Sequence, residues 1–284
     1  MNRSGKRDEV APPSDGLEGF SNCDPVASFP AQPALRVPGL GMNALTPLSA
    51  SSGAADPGDR LEGLRAGIDG RIVFTTSFGI EDQAVAHFIF TRGLDIEVST
   101  LDTGRLFPST YQVWEETEKR YGVRILSWHP DGEALSNLVS AAGINGFYGS
   151  REARLGCCQV RKVEPLARAL AGAGAWVTGL RSDQSAGRAA VELSAWDSER
   201  ELIKFAPIFD WTRERVADFC SAEGVPVNAL HARGYPSIGC EPCTRAVAPG
   251  EPERAGRWWW EQDEAKECGL HVGPDGRLVR SRAA

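Results

Sequence analysis

Two pairs of cysteines, Cys157-Cys158 and Cys240-Glu241-Pro242-Cys243, constrain this chain more than any other feature. Four thiolates in two tight sets are the ligand complement of a structural zinc site or an iron–sulfur cluster. The first pair is directly adjacent. Neighbouring side chains on a helix point about 100° apart, so one small ion would take both only with distortion. The separate metal corners of a cubane let each thiolate reach a different iron. The spacing therefore favours a 4Fe–4S cluster on Cys157, Cys158, Cys240 and Cys243 over zinc. Lys162 stands four residues beyond Cys158, on the same face of a helix. A cation there would offset part of the thiolate charge; the competing reading is a solvated surface lysine.

Composition sets the limits around this core feature. A chain of 284 residues can bury a full hydrophobic core. A net charge of -7 argues against nucleic acid as a partner, and an anionic substrate would need a local basic pocket. The seven cysteines are odd in number and clustered, unlike a secreted disulfide framework. No apolar run is long enough to span a bilayer, so no membrane association is expected. Asp8, Glu9, Asp15 and Glu18 and the lack of an apolar stretch near the N-terminus argue against a signal or transit peptide. These readings converge on a soluble protein in a reducing, cytoplasmic setting. The sequence leaves room for an oligomer.

Residues 1–58 are rich in Pro, Ala, Ser and Gly and read as a disordered arm, with Met42 as an alternative start of translation. From Leu61 the texture changes. Strands are expected over Arg71–Thr76, Asp95–Leu101, Val123–Trp128 and Ala175–Gly179, alternating with helices over Glu81–Thr91, Ser109–Tyr121, Val163–Ala171 and Thr212–Glu223. Pro108 and Gly122 mark the ends of the second of these helices. Such alternation predicts an α/β fold, a parallel sheet covered by helices on both faces. The division expected is a main domain over 59–252 and a C-terminal segment over 253–284.

In parallel sheets ligands bind at the carboxyl ends of strands, near a switch in strand order. Three polar loops fall there: Ser77-Phe78-Gly79-Ile80-Glu81-Asp82, Asp102-Thr103-Gly104-Arg105, and Gly179-Leu180-Arg181-Ser182-Asp183-Gln184-Ser185. The first opens a helix, and its N–H groups could cradle an anion. A Walker-type phosphate loop is absent. Arg181, Arg188, Arg254 and Arg257 could clamp sulfate or phosphate oxygens bidentately; the alternative for each is surface solubility. The run Trp258-Trp259-Trp260 reads as core and docking surface, with base stacking as the alternative. Cys268, near Lys266 and followed by Gly269, suits an exposed nucleophile, with His271 able to lower its pKa; the alternative is an incidental thiol. Cys220 is expected to be buried packing.

Seven stretches in order, from Ser77–Asp82 and Leu101–Pro108 through Cys157-Cys158, Gly179–Arg188, Gly234–Thr244 and Gly256–Trp260 to Lys266–His271, make the chain resemble the assimilatory adenylyl-sulfate reductases, the iron–sulfur subclass of the phosphoadenylyl-sulfate reductase family. The resemblance implies an adenine-nucleotide alpha-hydrolase-like fold with a flexible C-terminal segment. It also implies reduction of adenylyl sulfate to sulfite and AMP through an S-sulfocysteine on Cys268, with thioredoxin or a similar separate dithiol protein as donor. Lys162, Arg254, Arg257 and His271 would serve catalysis with Cys268. Ser77, Phe78, Gly79, Asp82, Leu101, Asp102, Thr103, Gly104, Arg181, Ser185 and Arg188 would bind the substrate. Possession of both cysteine pairs points to adenylyl sulfate over its 3′-phosphorylated form. Ser182 stands where the family commonly has arginine. The rival readings are a phosphoadenylyl-sulfate reductase that kept its cluster and a non-catalytic cluster- or zinc-containing nucleotide-binding protein.

Overall fold

The computed structural model describes residues 56–261. The first helix, α1 (Pro57–Gly67), has Pro57 in its first turn and Asp56 as N-cap, whose carboxylate accepts the Asp59 N–H at 3.0 Å. Pro57 and Gly58 are buried, so packed chain begins ahead of the expected boundary at residue 59. Arg60 ties α1 to the body by a two-pronged bond to Asp210, at 2.6 and 2.7 Å.

A six-stranded sheet forms the centre, in the order β3-β2-β1-β4-β6-β5. Its strands are β1 (Ile72–Thr76), β2 (Glu97–Leu101), β3 (Leu126–Trp128), β4 (Ala175–Val177), β5 (Ser194–Asp197) and β6 (Leu202–Phe205). All neighbours run parallel except β5 and β6, which pair antiparallel at one edge. That edge pair was not expected from the sequence. β1 pairs with β2 on one side and β4 on the other, so the strand order reverses at β1.

Side chains of alternate residues on β1 serve opposite faces. Ile72 and Phe74 join the main core, with Leu61 and Leu64 of α1, Ala84, Val85 and Ile89 of α2 (Ile80–Thr91) and Val216. Val73 joins a second cluster with Trp176, Leu202, Leu166 and Leu170. The sheet is therefore buried on both faces, as its apolar strands require. Each side chain sealed in this way contributes about 1.5–3 kcal/mol of transfer free energy. α3 (Pro108–Tyr121) has Pro108 as its first residue and ends at Gly122, whose φ of 66° closes the helix with an N–H bond to Glu118 O.

The adjacent cysteines end a helix. After α4 (Gly132–Ala142), α5 (Arg151–Cys158) is capped by Ser150 and carries Cys157 and Cys158 in its last turn. It continues into one π turn, Gln159–Val163, and then α6 (Glu164–Leu170). Pro165 has no N–H for the carbonyl one turn back, and the widened turn falls just before it. A π turn closes its hydrogen bonds one residue later than an α turn. Lys162, within that turn, is thus rotated from the simple alignment over Cys158 that helical spacing predicts. The last helix, α7 (Arg213–Ala222), is capped by Thr212 and buries Cys220 against the core, as expected for a packing residue. Among the described residues no helix is long and apolar enough to cross a membrane.

Candidate functional site

A cavity of about 190 Å³ opens at the carboxyl ends of β1, β2 and β4. Thr75, Thr76 and Ser77 come from the end of β1, Thr100, Leu101 and Thr103 from β2, and Thr178, Gly179 and Leu180 from β4. This is the reversal point of strand order, where neighbouring loops diverge and leave a crevice.

The β1 loop makes a tight entry into α2. Phe78 adopts a φ of 58°, costly for a bulky residue, and is held there by burial, by stacking on Trp114 at 5.5 Å and by its N–H bond to Thr76 Oγ1. Its side chain belongs to the core and not to the cavity wall. Gly79 caps α2 with no side-chain acceptor. The Asp82 carboxylate instead turns back to accept the Ser77 N–H at 2.6 Å and the Ser77 hydroxyl at 2.7 Å. Burial, with Glu81 nearby, pushes Asp82 up to about 6 despite those bonds. Gly179 of the β4 loop must be glycine: a Cβ there would stand 2.3 Å from Asp82 Oδ1 and 3.0 Å from Asp82 N.

Arg181 is fully buried. Its Nε and Nη2 donate to Glu81 Oε1 at 3.1 and 2.9 Å, and Nη2 donates to Glu253 Oε2 at 3.0 Å. Burial alone would raise Glu81, but the Arg181 charge outweighs it and holds that carboxyl below its usual value. Burial and the Glu81 charge push Glu253 up, against Arg181 and Arg213.

Cations gather on the other side. Lys162, Arg188, Arg254 and Arg257 all line the cavity. Arg257 is buried, donates to Ser237 Oγ at 3.3 Å and Ile238 O at 3.2 Å, and lies 4.9 Å over the Trp258 ring. Gly239 leaves room for it, since a Cβ would stand 2.1 Å from Arg257 Nη2. Trp258 holds a φ of 43° and its N–H bonds Cys243 O at 3.0 Å.

Behind that wall Cys158, Cys240 and Cys243 form one buried apolar cluster with Phe147 and Trp258, and Cys157 packs against it. None of the four is in a disulfide. Among the described residues no group of three or more His, Cys, Asp or Glu side chains is gathered closely enough to hold a metal ion. Cys240 lines the cavity and lies 3.3 Å from Thr103 Oγ1. Burial acts to raise its thiol, but Lys162, the Thr103 bond, Arg257 and Arg161 together draw it below the usual value. Cys243, sealed beside that charge, is pushed up to about 12.

Of the residues expected from the sequence, Ser77, Gly79, Asp82, Leu101, Thr103, Lys162, Arg188, Arg254 and Arg257 meet on this cavity. Phe78, Asp102, Gly104, Arg181 and Ser185 stand off its wall. Asp102 spends its carboxylate on the Gly104 N–H and the Tyr111 hydroxyl, both at 2.8 Å. Gly104, at φ 67°, shapes the same turn. The Ser185 carbonyl accepts the Arg188 N–H at 2.8 Å. Cys268, His271 and the N-terminal arm through residue 55 lie outside the described residues.

The profile of the phosphoadenosine phosphosulfate reductase domain matches residues 71–246, more than half of the chain. The chain belongs to this reductase family. It is 58% identical over 207 residues to the adenosine 5′-phosphosulfate reductase of Sinorhizobium fredii (strain USDA 257), covering 73% of this chain and 82% of that one. It is 52% identical over 200 residues to the protein of the same name from Allochromatium vinosum, covering 70% and 78%. Among solved structures, the phosphoadenylyl-sulfate reductase of Candida auris in a phosphate complex superposes with a TM-score of 0.62 at 22% identity, covering 74% of this chain and 98% of that one. That likeness is one of fold.

Sequence reasoning missed several wall residues of this family member. Gln184, His231, Ser237, Ile238 and Glu253 line the cavity, and Arg161 is buried beside it, donating to Thr103 O at 2.5 Å. The stretch Pro236–Cys240 had a visible signal, since it runs straight into the second cysteine pair. Glu253 had none, because its partners come from distant elements.

Proposed function

We propose that the chain is an oxidoreductase that converts adenylyl sulfate to sulfite and AMP in sulfate assimilation, with thioredoxin or a similar dithiol protein as donor. The observation that carries this reading is the set of four cations, Lys162, Arg188, Arg254 and Arg257, on one cavity at the strand-order switch beside the cysteine cluster. Membership of the reductase family and the names of its relatives support it. Ser77, Gly79, Asp82, Leu101 and Thr103 hold the nucleoside end, and the cations take the phosphate and sulfate oxygens.

The sulfur of sulfate is shielded by anionic oxygens, so a thiolate approaches only where cations neutralise them. Cys268 attacks that sulfur; an S–S bond forms, the S–O bond breaks, and AMP leaves. One thiol of the donor then attacks Cys268 Sγ and releases sulfite, and its second thiol resolves the mixed disulfide. The donor ends as a disulfide, so two electrons have reached sulfur. His271 favours the Cys268 thiolate. A dithiol donor fits a reducing, cytoplasmic setting.

Cys157, Cys158, Cys240 and Cys243 would hold a 4Fe–4S cluster. Three buried thiols in one apolar cluster and Cys157 packed against it, all unbridged, with Lys162, Arg161 and Arg257 acting on Cys240, are a donor set suited to a group of high negative charge. When bound, the cluster supplies cohesion and a local field and no electrons, since the thiol steps already balance. Anaerobically purified protein should carry about four irons and four acid-labile sulfides; one zinc and no sulfide would overturn this assignment. Cys268→Ser should abolish turnover and the sulfonated intermediate while AMP still binds. Sulfite formation by that variant at the wild-type rate would place the nucleophile elsewhere.

A further inference from the structure

Arg181 stands off the cavity wall, yet hydrogen bonds lead from it to two of the cations that line the cavity. Toward one side, Nη2 bonds Glu253 at 3.0 Å, and Glu253 directly precedes Arg254 in the chain. Arg213 holds the same carboxylate at 3.2 Å. Toward the other side, Gln184 Oε1 accepts the Arg181 backbone N–H at 3.3 Å and Arg188 Nη1 at 2.6 Å. Arg181 is itself anchored by Glu81 at 2.9 Å and by Asp183. A continuous chain of bonds thus runs Arg188–Gln184–Arg181–Glu253 and passes by one peptide bond to Arg254.

Only short turns hold the backbone at either end. Arg188 closes a single turn of 3-10 helix, Ala186–Arg188, beside the exposed residues Gly187 and Ala189. Arg254 lies in an irregular segment. Long cationic side chains on such segments lose their mutual spacing unless something rigid joins them. A charge network centred on the fully buried Arg181 supplies that rigidity, because its bonds hold in one arrangement or break.

We propose that Arg181 is a positioning residue that sets the separation of Arg188 from the Arg254–Arg257 segment, acting through Gln184 on one side and Glu253 on the other. This rests on the adenylyl-sulfate reading, and it gives Arg181 a part in the reaction other than contact with the substrate. The two sets of guanidinium groups must converge on one compact phosphate–sulfate unit, where a displacement near 1 Å costs on the order of 100-fold in rate.

Removing Arg181 itself would strand the buried Glu81 carboxylate, so the test uses the milder variants Gln184→Met, Glu253→Gln and the pair combined, each checked by circular dichroism. Adenylyl-sulfate turnover and affinity are measured beside AMP affinity. Each single variant should lose about 10- to 100-fold in kcat/KM for adenylyl sulfate and less than about threefold in AMP affinity. The double variant should be no worse than the poorer single one, since both interrupt the same chain. Losses that multiply in the double variant, or AMP affinity falling as far as kcat/KM, would overturn the proposal. Wild-type protein that binds no adenylyl sulfate would overturn both this proposal and the function on which it rests; wild-type activity with multiplying losses would overturn this one alone.

Discussion

Thr103 Oγ1 lies 3.3 Å from Cys240 Sγ, so the loop after β2 touches the cavity and the cysteine cluster at once. Arg161 fastens the same residue from behind through Thr103 O at 2.5 Å. The Asp102–Gly104 turn that presents Thr103 is thereby a joint between the carboxyl end of the sheet and the two segments that carry the cysteine pairs.

Thr103→Val keeps the shape and removes the hydroxyl. Partners of this kind around a ligand are worth roughly 10- to 100-fold in metal affinity. The variant should lose iron to a chelator several-fold faster than wild type, with a thermal midpoint close to wild type because only two long contacts, to Cys240 Sγ and the Arg105 N–H, are lost. Identical release rates would show that the contact does not support the cysteine site.

Gly179→Ala tests the close approach of the β4 loop to α2. The new methyl would meet the Asp82 carboxylate at 2.3 Å and the backbone of Asp82 at 3.0 Å, and the backbone cannot yield as a side chain can. A loss of about 1–3 kcal/mol in denaturant stability is expected, with weaker AMP binding. Unchanged values for both would mean that the loops are looser than their contact implies.

Asp82 carries a pH signature. Its pKa rises on folding from 3.8 to about 6, so the folded chain binds the extra proton between those values. That contribution to stability is fully present below 3.8 and is lost as pH rises through about 6. Asp82→Asn, which cannot ionise, should therefore stabilise the protein at pH 7.5 and not at pH 4. The gain should be on the order of 1–2 kcal/mol, discounted because the side chain is partly exposed. Chemical denaturation at the two pH values measures it, and a gain of equal size at both would refute the assignment.

Lys162→Ala separates chemistry from affinity. Lys162 borders the cavity and acts on the charge of Cys240. Single-turnover sulfonation should slow by roughly 10-fold or more, with AMP affinity changing less. A pure affinity loss at an unchanged single-turnover rate would place Lys162 in binding alone.

The alternation of apolar strands and polar loops made the sheet and the cavity at its carboxyl end readable, because β1 and β2 are β-rich runs followed at once by Ser77–Asp82 and Asp102–Arg105. Local pattern could not reveal the β5–β6 pair, where Ser194-Ala195-Trp196-Asp197 is short and mixed in character. The π turn at Gln159–Val163 escaped for a related reason: one widened turn barely disturbs a helical period. Arg181 shows the deeper limit. An arginine in a polar loop at a strand end suggests an anion ligand, but besides the neighbouring Asp183 its carboxylate partners lie 100 residues away at Glu81 and 72 away at Glu253. Only the folded chain brings them together.

The most direct test of the central claim is thioredoxin-dependent sulfite release by anaerobically purified protein, with adenylyl sulfate and its 3′-phosphorylated form in parallel. The account predicts strong preference for adenylyl sulfate. Preference for the 3′-phosphorylated compound would contradict the substrate assignment, and no sulfite from either, in protein carrying its full complement of iron and sulfide, would contradict the enzyme itself.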